Sequence, residues 1–230
     1  VSGTEVGAGG HYLVLGAGGL GCPALLGLVA AGASAITIVD HDVVDASNLQ
    51  RQVLYTTADV GMAKVEAAAV RLRGRDPRLR LRTHRTHLDA GTLAPLLAEQ
   101  PAGTIVLECS DAPGLKFMVN DACLERQLPL VVGGVQRWRG QVQAVQRGHA
   151  CLRCMFEGPP PPALQESCSQ VGVMGAAAGL LGFWMAQMAV ALRAGSPVAG
   201  TLWAIDTRTL LPQQMRPRPR PDCPACGADA

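Results

Sequence analysis

The sequence predicts an α/β fold, a mainly parallel sheet packed by helices and extended by antiparallel strands. Three observations predict it. A short apolar run, Tyr12 to Leu15, enters the glycine-rich stretch Gly16-Ala-Gly-Gly-Leu-Gly21, and an apolar helical segment follows. A second strand, Ala35 to Val39, is closed by Asp40. Two further buried-type strands, Thr104 to Asp111 and Pro129 to Gly133, flank a helix from about Gly114 to Gln127.

The opening strand, glycine loop, helix, strand and carboxylate occur in the order of a nucleotide-binding βαβ unit, which makes the fold Rossmann-like. Glycines permit the tight turn and the close approach of backbone to phosphate. The amides that open the next helix offer unpaired donors and a positive dipole end. Gly16, Gly18, Gly19 and Gly21 are therefore expected to shape a phosphate loop, and Asp40 to take ribose hydroxyls. Pro23 fits the first helical turn, and Cys22 reads as a small buried residue rather than a reactive thiol. Asp59 to Arg73 has helical periodicity with Lys64 near its start, where a lysine opposes the dipole and is normally solvated. Seven arginines between Arg71 and Arg85 surround the strand Leu79 to Thr83 and read first as a solvated face, with docking of an acidic partner as the alternative. Asp111 ends its strand at the carboxyl edge of the sheet, in the same crevice as the glycine loop. Gly140 to Gln146 alternates polar and apolar residues, and with Leu202 to Asp206 and the segment to Met215 it supplies the antiparallel extension.

A chain of 230 residues can bury a real core, and one main domain is expected from 11 to 230, after a flexible leader at 1–10. A mobile crossover loop is expected at 157–167, where the run of prolines to Pro162 blocks helix and central strand. The net charge of +2, with 17% charged residues, is too mild for a general nucleic-acid binder. Cys151-Leu-Arg-Cys154 and Cys223-Pro-Ala-Cys226 read as two halves of a four-thiolate, structural zinc site that only folding unites, with redox pairs or a disulfide clasp as alternatives. These cysteine pairs, in a chain read as having no signal peptide, favour the cytoplasm. Val171 to Leu192 is apolar and about the 20 residues needed to span a bilayer. Its glycines Gly172, Gly175, Gly179 and Gly182 recur at helical spacing. A buried helix at a subunit interface is expected rather than a membrane span.

Asp40-His-Asp42-Val-Val-Asp-Ala-Ser-Asn48-Leu-Gln-Arg51-Gln and Val60-Gly-Met-Ala-Lys64 resemble the MoeB/ThiF/HesA type of ubiquitin-activating-like adenylyltransferase. The likeness runs from about Gly16 to Cys226 and rests on several separated motifs in one order. It implies an ATP-dependent enzyme that adenylylates the C-terminal Gly-Gly carboxylate of a small ubiquitin-like sulfur carrier, works as a homodimer, and hands on to a separate sulfur donor. It assigns Arg51 and Lys64 to the phosphates, Asp111 to Mg2+, Asn48 and Asp42 to the polar surroundings of the nucleotide, and Cys168 to a covalent role in carrier transfer. The family pattern also has an arginine ahead of the first strand and asparagine after the magnesium carboxylate, whereas this chain has no arginine before Arg51 and has Ala112. Two rival readings follow: a carrier-binding scaffold without catalysis, and a nicotinamide-dependent oxidoreductase. The resemblance leaves the pathway open among molybdopterin, thiamine, transfer-RNA thiolation and sulfur-containing natural products.

Overall fold

The computed structural model describes residues 9–161 and 172–227. Its centre is built by short apolar strands: β1 (His11–Leu15), β2 (Ala35–Val39), β4 (Ile105–Glu108) and β5 (Leu130–Gln136), with β3 (Arg80–His84) outside β2. All five run parallel, in the order β3-β2-β1-β4-β5, and the register pairs Val14 with Ile38 on one side and with Leu107 on the other. Strands sandwiched between layers of helices bury both faces, which is why their sequences read as continuous apolar runs. Beyond β5 the sheet turns antiparallel through β6 (Arg139–Val145), β7 (Leu202–Asp206) and β8 (Leu211–Met215). The fold class expected from sequence is the one observed.

Alternation along the strands divides the interior into two cores. Tyr12, Val14, Ile36, Ile38 and Leu107 face one core, with Leu25 and Leu28 of α1 (Gly21–Ala30) and Leu72 of α2 (Lys64–Arg73). Leu13, Leu15, Val106 and Leu130 face the other, with α3 (Ala90–Ala98) and α4 (Pro113–Glu125). α3 is not evident in the amino-acid pattern, because Gly91 and Pro95 weaken its helical signal. A reciprocal cap holds it: the Asp89 carboxylate accepts from the Thr92 amide and the Thr92 hydroxyl accepts from the Asp89 amide, both at 2.9 Å.

The cysteine knuckle opens on the short helix α5 (Leu152–Met155), and the apolar stretch read as a buried helix is α6 (Gly175–Arg193). Among the described residues α6 is the one helix long and apolar enough to cross a membrane, and half of it is buried against α1, β5 and β6 of its own chain. The glycines at helical spacing play different parts. A Cβ at Gly182 would meet the Leu20 carbonyl at 2.4 Å, and one at Gly175 the Gln50 carbonyl at 2.2 Å, so these two permit close packing inside the domain. Gly179 faces open space and Gly172 precedes the helix. At the C-terminal end Arg193 donates to the Tyr12 hydroxyl and to the carbonyls of His11 and Gly103, which fixes α6 to the sheet. Of the expected leader only residues 9 and 10 are described, and of the expected crossover loop only 157–161.

Candidate active site

A cleft of about 1240 Å³ opens at the carboxyl ends of the parallel strands. Its wall unites Gly16, Gly18, Gly19, Asp40, Asp42, Asn48, Arg51, Lys64 and Asp111, nine residues read as nucleotide-binding from the sequence. Gly21 stands behind that wall. A Cβ there would lie 2.0 Å from the Gly16 carbonyl, so the residue closes the loop's packing rather than lining the cleft. Gly16 itself adopts φ +94° against the Cys109–Ser110 backbone, a conformation and a space that favour glycine.

The loop ends at α1, which has neither a side-chain cap nor an acidic residue in its first turn. The Cys22 amide is already given to the Gly18 carbonyl at 2.9 Å and Pro23 has no N–H, so the donors left to an anionic ligand are those of Gly21 and the loop before it. Asp40 fixes the loop from β2: one carboxylate oxygen accepts from the Ala17 amide at 2.7 Å and the other from the Asp42 amide at 2.8 Å. Lys64 departs from expectation. It is the first residue of α2, yet its side chain is only 6% exposed and its ammonium meets Asp42 at 2.8 Å. Burial works against the charge of Asp42, but the hydrogen bond and charge of Lys64, with His41 and His87 nearby, outweigh it and hold this carboxyl below its usual range. Arg51 is oriented by Asn48, whose side-chain oxygen accepts from the guanidinium at 2.5 Å. Asp111 follows β4 at the cleft, and among the described residues its carboxylate makes no hydrogen bond or ion pair. One carboxylate free in the cleft is a donor that suits Mg2+, which keeps several waters and shares its remaining sites with substrate phosphates.

Sequence reasoning missed three residues that hold this arrangement. Tyr55, buried, donates to the Ala17 carbonyl at 2.8 Å and lies 3.2 Å from the Lys64 carbonyl, joining the glycine loop to the start of α2. Replacing it with phenylalanine should cost about 1–3 kcal/mol in urea unfolding, since buried acceptors lose their donor. Glu108 and Lys116 form an ion pair at 2.5 Å beneath the Asp111 turn. A charged residue inside the otherwise apolar Ile105-Val-Leu-Glu108 was the available signal, because a buried carboxylate requires a cation. Cys22 is buried as expected, and desolvation pushes its thiol up to about 12.

Cys151, Cys154, Cys223 and Cys226 come together from opposite ends of the second half of the chain, all four sulfurs lying within 4.8 Å of one another. Neighbouring sulfurs are 3.4 Å (Cys154 to Cys226), 3.6 Å (Cys151 to Cys223) and 4.0 Å (Cys151 to Cys154) apart. A tetrahedral zinc with bonds of about 2.3 Å requires sulfur separations of about 3.8 Å. The donor set and its spacing therefore fit the ion. The knuckle packs in the α3–α4 core and takes no part in the cleft wall. Cys168 lies outside the described residues.

The model of the ThiF family matches residues 6–225, almost the whole chain. The chain belongs to the ThiF family. It is 38% identical to the sulfur carrier protein adenylyltransferase of Thermus thermophilus, over 94% of this chain and 81% of that protein. It is 34% identical to the SAMP-activating enzyme E1 of Haloferax volcanii, over 94% and 80%. The adenylyltransferase and sulfurtransferase MOCS3 of Sus scrofa is 37% identical, and there the chain spans 48% of the relative. The fold is shared with E. coli MccB solved with ATP, at a TM-score of 0.80 and 20% identity over 94% of this chain and 66% of that one.

Proposed function

We propose that this chain uses ATP to adenylylate the C-terminal Gly-Gly carboxylate of a small ubiquitin-like sulfur-carrier protein, with release of pyrophosphate. The observation that carries this reading is the convergence of the glycine loop, Arg51, Lys64 and Asp111 on one cleft. Adenylyltransferase and carrier-activating relatives support it, and so does the size of the cleft. At about 1240 Å³ it exceeds the usual range of about 300–1,000 Å³ for small-ligand pockets, leaving room for a nucleotide and an extended peptide end together. Gln141, Asp206 and Gln213 of the antiparallel extension line its far side, on the path such a terminus would take.

In the reaction a carboxylate oxygen of the carrier forms a bond to the α-phosphorus of ATP. The bond from that phosphorus to the oxygen bridging to the β-phosphate breaks, and pyrophosphate leaves with the electron pair. The chain's work is alignment and charge neutralisation between two anionic reactants. The loop amides and α1 would hold the phosphates, Lys64 and Arg51 would neutralise them, Asn48 would keep the Arg51 guanidinium in place, and Asp40 would accept from the ribose. Asp111 would hold Mg2+, which supplies further neutralisation of the phosphate oxygens. Cys151, Cys154, Cys223 and Cys226 would hold a zinc ion with no open position, a structural clasp tying the C-terminal segment to the α3–α4 core. The exposed Leu180 and Phe183 on α6 support a homodimer contact, and Cys168 is proposed as the thiol whose sulfur bonds the carrier's acyl carbon as AMP leaves and the thiol proton passes to solvent, before a separate sulfur donor acts. A cytoplasmic setting agrees with four free thiols paired as a metal clasp.

The test is exchange of labelled pyrophosphate into ATP with Mg2+ and an intact carrier, beside the same carrier lacking its last glycine. Exchange that needs the intact terminus is the expected result. Binding of carrier and ATP without exchange in either case would replace the enzyme reading with a scaffold.

A further inference from the structure

The turn that carries Asp111 is held by an ion pair the cleft alone does not explain. Glu108, the last residue of β4, is fully buried. One of its carboxylate oxygens accepts from both the amide, at 3.0 Å, and the hydroxyl of Ser110. The other accepts from the Lys116 ammonium at 2.5 Å. That ammonium also donates to the carbonyls of Ser110 at 2.6 Å and Gly133 at 2.7 Å. A lysine has three donors, and here all three are used. They bind the residue before Asp111, the strand that precedes it and the neighbouring strand β5 into one knot. Lys116 sits one turn into α4, whose N-cap Ala112 offers no side chain to fix the entry. Two long contacts supplement the knot locally, the Ala112 amide to the Ser110 hydroxyl at 3.4 Å and the Lys116 amide to the Ala112 carbonyl at 3.3 Å.

We propose that Lys116 is a positioning residue for Asp111: it locks the Ser110–Asp111 turn so that the carboxylate stands free in the cleft at the place a nucleotide-bound divalent cation would occupy. The proposal rests on the ATP reading of the cleft. Without Lys116 the Glu108 carboxylate is left partly unpaired beneath the turn, and the turn and Asp111 can shift toward it or toward solvent. Loss of a group that orients a metal ligand weakens metal affinity by about 10- to 100-fold.

The experiment is calorimetric titration of the full chain with α,β-methylene-ATP, with and without Mg2+, for the unmodified chain, Lys116→Met, Lys116→Arg and the double variant Lys116→Met with Glu108→Gln. The readout is the factor by which Mg2+ tightens binding. In Lys116→Met that factor should fall by about 10- to 100-fold. Affinity for the metal-free analogue should stay within about twofold, and Lys116→Arg should restore the factor. A merely structural role lowers the fraction of competent protein or both affinities together, and leaves the factor unchanged. If burying unpaired Glu108 prevents Lys116→Met from folding, the double variant, which carries no buried charge, gives the same readout. A folded variant lacking the ammonium that keeps the unmodified factor overturns the positioning role while leaving the ATP reading intact. Absence of any Mg2+ effect in the unmodified chain overturns both.

Discussion

Lys64→Ala is expected to abolish carrier-dependent pyrophosphate exchange, and Asp111→Ala to do the same with a different signature. Each change should lower the exchange rate by at least about 100- to 1,000-fold, the effect of removing one preorganised charge partner from a transition state. Lys64 is buried beside Asp42, so its removal also takes from that carboxylate its 2.8 Å ion pair in the cleft and leaves it His41 as its partner. Affinity for ATP should therefore weaken with and without Mg2+. Asp111 has no partner among the described residues, so its removal breaks nothing in the fold and should weaken only the Mg2+-dependent part of binding. Exchange rates and analogue affinities measured for both variants check this pair. Exchange near the unmodified rate in either one would remove that residue from the proposed machinery.

The second large effect is on stability. Chelation of the metal, or Cys223→Ser, should lower the melting temperature by about 10 °C in calorimetry, consistent with a loss of several kcal/mol in a chain of this size. Zinc content, measured by atomic emission, should be one ion per chain before and near zero after. Burial opposes ionisation of Cys223, but the amides of Ala225 and Cys226 and the neighbouring thiols outweigh it and bring this thiol down to about 7. Its position joins the C-terminal segment to the first knuckle, and that knuckle is tied to α4: the Asn120 side-chain oxygen accepts from the Leu152 amide at 3.0 Å, and Asp121 accepts from Arg153 at 2.7 Å. Unlocking the clasp therefore loosens the outer turns of α4 as well as the C-terminal segment. A melting temperature unmoved by chelation would return the four cysteines to redox chemistry.

Most of the cleft was legible because its residues announce themselves locally. A glycine loop between strand and helix, or a carboxylate at a strand end, has its meaning fixed by neighbours within a few positions. Lys64 was legible as a cleft residue but not as a buried one, since its burial depends on Asp42, 22 residues earlier, reaching its ammonium. Tyr55 was illegible for the same reason. Nothing in Val53-Leu-Tyr55-Thr shows that its hydroxyl will reach the glycine loop 38 residues away. The glycines of α6 carried a real signal of close packing, but only contact with Leu20 and Gln50 separates Gly182 and Gly175, which need it, from Gly179, which does not.

The sequence by itself determined the parallel α/β architecture, the glycine loop, most of the residues that line the cleft and the pairing of two cysteine knuckles, because periodicity, glycine and ligand spacing act over short stretches of chain. Tertiary structure decided which side of the sheet each knuckle and helix took, that α6 is packed into its own domain, and that Lys116 and Glu108 brace the Asp111 turn. Those outcomes depend on which buried charges and backbone donors meet across the sheet, and the cost of leaving any of them unpaired is felt only once the chain has folded.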